Sequence, residues 1–115
     1  MSASAELQKA VFDRLVADAD VHGYVSDRIY DAMPRDAEYP CVTFGPSDYV
    51  DEYLTGLKAR EETLQVDVWS QDQGRLRICR QIADTLRAAL HEQSLSLDTA
   101  RLVRLRVDGV RVLRD

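Results

Sequence analysis

Apolar residues between Glu62 and Ser70 fall on every second position. Leu64, Val66 and Val68 share one face of an extended chain, and Thr63, Gln65 and Asp67 share the other. Period-two spacing with β-branched residues predicts a half-buried strand. A polar turn, Gln71-Asp72-Gln73-Gly74, ends it, and the period then changes. Leu76, Cys79, Ile82, Ala83, Leu86, Ala89 and Leu90 recur every three or four positions, with Arg75, Arg77, Arg80 and Arg87 mostly between them. That spacing predicts an amphipathic helix lying back on the strand, broken at His91-Glu92-Gln93-Ser94.

The same reading predicts a first helix from an N-cap at Ser4 to about Ala19, with Glu6 in its first turn. Its apolar stripe is Leu7, Ala10, Val11, Phe12, Leu15 and Val16, and Glu6, Lys9, Asp13 and Arg14 face outward. Asp18-Ala19-Asp20 begins a turn, and Val21 to Val25 is at most one further helical turn, interrupted by Gly23. Arg28-Ile29-Tyr30-Asp31 is a short strand, 33–38 is a loop, and Cys41-Val42-Thr43-Phe44 is a strand ended by Gly45-Pro46. Ser47 to Arg60 reads as a long polar connection. It carries Tyr49, Val50, Tyr53, Leu54 and Leu57 among acids and bases, so it is either a contact surface or a flap on its own domain.

Beyond the second helix, Leu95-Ser96-Leu97 is a short strand candidate and Asp98-Thr99-Ala100 a turn. From Arg101 to Asp108, Val103, Leu105 and Val107 alternate with Arg104, Arg106 and Asp108. At Gly109 the phase flips to Val110 and Val112, which calls for a bulge or hairpin there. The predicted class is α+β: a mostly antiparallel β-sheet with two α-helices packed on one face.

The length of 115 residues fits one domain spanning 1–115. With 45% apolar and 30% charged residues the composition is that of an ordered globular chain. No apolar run reaches the roughly 20 residues of a membrane span, and Met1 to Glu6 lacks the pattern of a secretory signal, so a cytoplasmic origin and no membrane partner are expected. Net charge is −5, which argues against a general nucleic-acid binder. Residues 1–62 hold thirteen acids and six bases, whereas 63–115 hold nine bases, all arginine, and seven acids. Solvated faces explain this asymmetry, and so do surfaces that dock head to tail.

The chain offers little chemistry. His22 and His91 lie at no metal-ligand spacing to Cys41, Cys79 or each other. The cysteines read as free buried thiols. No phosphate loop or nucleophile elbow is present, and the paired carboxylates Asp18/Asp20 and Asp51/Glu52 read as solvated surface. No catalytic residue, cofactor or metal is expected. Arg101, Arg104, Arg106, Arg111 and Arg114 are the one concentrated signal, read as the polar side of a final strand pair. Such a face is a solvated guard against edge pairing, a subunit interface, or a basic surface near DNA.

Short motifs along nearly the whole chain carry a resemblance. Arg28-Ile29-Tyr30-Asp31, Pro34 and Tyr39-Pro40-Cys41-Val42-Thr43-Phe44-Gly45 resemble the front half of the tail-completion proteins of long-tailed phages, prophages and gene transfer agents. Val68-Trp69-Ser70, Ala88-Ala89-Leu90-His91, Leu102-Val103 and Arg111-Val112-Leu113-Arg114-Asp115 resemble its later elements. Members usually continue past the Arg-Asp pair into one more strand, so this is either a short member or a chain whose last strand lies beyond Asp115.

The resemblance implies a non-enzymatic virion protein similar to lambda-type tail terminators and head-to-tail joining proteins. Its expected place is the tail–neck junction of a phage-like particle. Such proteins form a ring, typically a hexamer, on the tail tube, stop its growth, and present a surface to the head connector; DNA passes through the lumen as cargo. On that expectation Tyr49, Tyr53, Leu54, Leu57, Arg104, Arg106 and Arg111 are the candidate subunit or tube contacts. The other readings are a different neck or head-completion component, and a small DNA-binding protein.

Overall fold

In the computed structural model, residues 3–54, 57–97, 102 and 104–112 are described. Among these residues three helices and three strands follow in the order α1 (Ala3–Ala17), α2 (Ala19–Val25), β1 (Ile29–Tyr30), β2 (Cys41–Leu54), β3 (Leu57–Trp69) and α3 (Arg77–Leu90). The architecture is α+β, as expected, but with a third helix and a mixed sheet of order β1-β2-β3. β1 runs parallel to β2, through Ile29 opposite Val42 and Tyr30 opposite Thr43. β2 and β3 are antiparallel.

The third helix arises at Asp18. The expected turn is an N-cap: its Oδ1 accepts hydrogen bonds from the amides of Asp20 and Val21, both at 3.0 Å. The cap starts a new helix one residue after α1 ends. Gly23 does not break it, and Val21 and Val25 bury completely. The expected N-cap at Ser4 also differs, since α1 already includes Ala3.

One core joins the layers. Val11 and Leu15 of α1, Val21 and Val25 of α2, Ile29, Val42 and Phe44 of the sheet, and Ile82, Leu86, Ala89 and Leu90 of α3 form a single buried cluster. Leu64, Val66 and Val68 pack against it, as their spacing predicts. Completely buried Leu15 and Ile82 each contribute about 1.5–3 kcal/mol of transfer free energy before entropy. The outward assignments on α1 need correction: Glu6 is buried, whereas Phe12 and Val16 are exposed. Arg14 is half-buried and donates to the Ala89 carbonyl at 2.9 Å and to Gln93 at 3.3 Å, tying α1 to the end of α3.

Two expectations for the sheet are overturned. The Ser47–Arg60 connection is the outer half of a long hairpin, paired from Ser47 opposite Leu64 to Leu54 opposite Leu57. Gly45 and Pro46 do not end β2; they form a bulge, where the register shifts between Phe44 and Ser47. A bulge tolerates a proline because the extra residue leaves the ladder unpaired. A side chain at position 45 would be crowded, since a Cβ there would lie 2.9 Å from Asp67 Oδ2 and 3.2 Å from Gln65 Cβ.

The late strands are the second correction. Among the described residues, 95–97 and 104–112 join no sheet. The alternation nonetheless records burial: Leu105 and Val107 pack on the core, while Arg104, Arg106 and Asp108 are exposed. The segment is held by the end of α3. The Glu92 amide donates to the Leu105 carbonyl at 2.8 Å, and the Val107 amide donates to His91 Nδ1 at 3.0 Å. Past Gly109 the expected phase holds only in part, with Val110 exposed and Val112 half-buried. Arg101, Val103, Arg114 and the Asp98-Thr99-Ala100 turn lie outside the described residues.

Candidate functional interface

The molecule measures 54 × 25 × 23 Å, the proportions of a small body with a projecting hairpin. Beyond the bulge the hairpin leaves the core. At its base Cys41, Val42, Thr43 and Phe44 are all buried, whereas every residue from Pro46 to Glu52 is exposed. Among the described residues this arm has no third strand, because β1 reaches only Val42 and Thr43.

The register sorts the arm into two faces, since directly opposed residues share a face. Tyr49 opposes Glu62 and Asp51 opposes Arg60, on the side of Leu64 and therefore of the helices. Arg60 organises this face. Its guanidinium carbon lies 4.0 Å from the Tyr49 ring centroid, and Nη2 donates to Glu62 Oε1 at 2.8 Å and to Ser4 Oγ at 3.0 Å. It thus joins both strands of the arm to the start of α1. On the other face Asp48 opposes Thr63, Val50 opposes Glu61, and Glu52 opposes Ala59. Val50 is 67% exposed, an apolar centre among three carboxylates.

Of the expected contact residues, Tyr49 is half exposed and stacked under Arg60. Tyr53, Leu54 and Leu57 occupy the arm's last paired positions, and their side chains lie outside the described part. The arginines at 104, 106 and 111 do not lie on the expected final strand pair, since residues 104–112 join no sheet among the described residues. Arg104 donates twice to Glu92 Oε1, at 2.7 and 3.0 Å, and Arg106 donates to Asp108 Oδ1 at 2.8 Å. The Arg104 hydrogen bond is the main reason that the Glu92 carboxyl is held below the ordinary glutamate range. Arg111 is exposed.

Sequence reasoning passed over the exposed arginines of α3, which looked like the ordinary outer side of an amphipathic helix. Arg77, Arg80 and Arg87 are exposed and make no ion pair among the described residues. A shallow groove between α2 and α3 is lined by Asp18, Asp20, Tyr24, Asp84 and Thr85. Among the described residues no group of three or more histidine, cysteine or acidic side chains is placed to hold a metal. No described helix is long and apolar enough to cross a membrane.

The comparisons place this small α+β body with its solvent-projecting hairpin among tail proteins. Residues 9–115 match the family described as tail completion protein gp17, and the chain belongs to that family. A chain of the solved virion of a native gene transfer agent particle is similar in structure, with a TM-score of 0.82 and 27% sequence identity. The match covers 91% of this chain and 78% of that one. No curated protein matches the sequence. The chain is accordingly a structural tail protein of a phage-like virion.

Proposed function

We propose that the chain, acting as one terminator-like domain, assembles into a ring that caps the tail tube, ends its elongation and joins it to the head connector. The ring is a hexamer with DNA passing through its lumen, and the role is structural rather than catalytic. The observation that carries the reading is family membership over residues 9–115. The arm supports it: a ring needs head-to-tail contacts between unlike surfaces, and the hairpin offers a surface unlike the body's. Tyr49, Tyr53, Leu54 and Leu57 are proposed to bury against a neighbouring subunit or the tube. Arg104, Arg106 and Arg111 remain candidates at the rim, though Arg104 and Arg106 are already neutralised within the chain.

Light scattering gives the solution mass, and negative-stain images show whether a large species has a central hole. Ring-shaped particles of about six chains are expected, and a Tyr53→Ser/Leu54→Ser variant should assemble poorly. A monomer is then tested on assembled tail tubes. Failure to bind tube ends would sink the reading and leave another neck component ahead.

A further inference from the structure

The ring reading, on which this inference rests, leaves open which surfaces close the ring. The charged side chains divide into those paired within the chain and those that are not. Arg60, Arg104 and Arg106 belong to the first group, with Glu62, Glu92 and Asp108 as partners. Two sets on ordered elements belong to the second. Asp48, Glu52 and Glu61 are exposed on the arm, and Arg77, Arg80 and Arg87 are exposed on α3, with no ion pair among the described residues.

The two sets match in length. The arm's acids lie on the face around Val50, and at about 3.3 Å per residue Asp48 to Glu52 spans about 13 Å. At about 100° per residue, Arg77, Arg80, Asp84 and Arg87 fall within an arc of about 80°, and Arg77 to Arg87 spans about 15 Å. Asp84 is the one acid in that stripe, against three arginines. Ala88 is exposed at its edge. One chain cannot join the two sets, because the acidic face is the one turned away from the helices. A second copy can.

We propose that the acidic arm face of one protomer, Asp48, Glu52 and Glu61 around Val50, docks on the Arg77, Arg80 and Arg87 stripe of α3 in the next protomer. The contact is heterologous: each protomer gives an arm and receives one. Repetition by rotation closes a ring. Arg104 and Arg106 are not the receiving surface, since their charge is already met at home.

The test is a charge-exchange series. A Glu52→Arg/Glu61→Arg chain and an Arg80→Glu/Arg87→Glu chain are each compared with the wild type by light scattering. Circular dichroism melts establish that each variant folds. Each variant alone should need at least about tenfold more protein to assemble, and wild-type assembly should weaken as salt rises. Mixing the two variants should restore assembly, because each arm then meets a complementary stripe in an alternating ring. Variants that assemble like the wild type overturn the inference and leave the ring reading standing, and so does a mixture that fails while the wild type assembles. If the wild type assembles only on tubes, the same series is read as protein bound per tube end. A wild type that neither self-assembles nor binds tubes removes both.

Discussion

Replacing Arg60 with alanine should loosen the arm from the body. Arg60 makes three contacts: a stack on Tyr49 at 4.0 Å, an ion pair with Glu62 at 2.8 Å, and a hydrogen bond to Ser4 at 3.0 Å. The Glu62 side chain is only 9% exposed, so its charge would be left half-desolvated and unpaired. A partly exposed cation–π stack is worth about 0.5–1 kcal/mol, a hydrogen bond about 1 kcal/mol, and stranding a polar group about 1–3 kcal/mol. These overlap, and about 2–3 kcal/mol is the expected loss in arm docking. Native-state hydrogen exchange reads it directly, through the amides of Ser47–Leu54 and Ala59–Leu64. Their protection should fall about 30- to 150-fold, while core amides of α3 change little. Arg60→Lys, which keeps the charge but loses the planar fork and most of the stack, should fall between. Arm protection within about threefold of wild type in Arg60→Ala would refute the reasoning and place the arm's stability in its backbone ladder alone.

Ile82→Ala should cost about 2–5 kcal/mol in urea unfolding followed by Trp69 fluorescence, because Ile82 is completely buried between α3 and the sheet. Cys41 is completely buried and its thiol is pushed above its ordinary pKa by that burial. It should therefore resist thiol reagents in the native state and react only on unfolding, while half-buried Cys79 reacts first; equal rates would contradict this. Glu92 titrates lower in the folded state than when unfolded, so its bond to Arg104 stabilises the fold above the unfolded pKa. That stability is lost as pH falls through the lowered folded value. The protection factor of the Glu92 amide, which donates to the Leu105 carbonyl, should accordingly fall below the ordinary carboxylate range, and Glu92→Gln should flatten that pH dependence.

The pattern of the chain reveals which residues meet the core better than it reveals their backbone partners. β3 and α3 were legible because each has one buried and one wet face. The alternation at Leu105 and Val107 likewise marked real burial, but a strand also needs a ladder partner, and side-chain spacing carries no record of one. The hairpin arm was illegible for the opposite reason: from Ser47 to Glu52 both sides are exposed, so there is no apolar period to see. Gly45-Pro46 reinforced the error, since a strand end and a bulge use the same residues. Asp18 did advertise a helix start, yet seven residues with a glycine inside gave too short a period to outweigh a turn. The arm tyrosines and leucines were conspicuous in the sequence as apolar residues in a polar segment. The α3 arginines were not, because an unpaired charge on a helix is common until its neighbours' charges are known to be satisfied.

Among the described residues the arm's backbone edges are open, which has a consequence for storage and handling. Two strands with unpaired amides and carbonyls are a template for fibrillar stacking. Along this arm Asp48, Asp51, Glu52, Glu61 and Glu62 outnumber Lys58 and Arg60. Two arms brought edge to edge would set carboxylate against carboxylate, so the same acids act as gatekeepers against amyloid-like growth. Solutions of the protein should then stay clear at neutral pH and turn turbid as the carboxylates are neutralised.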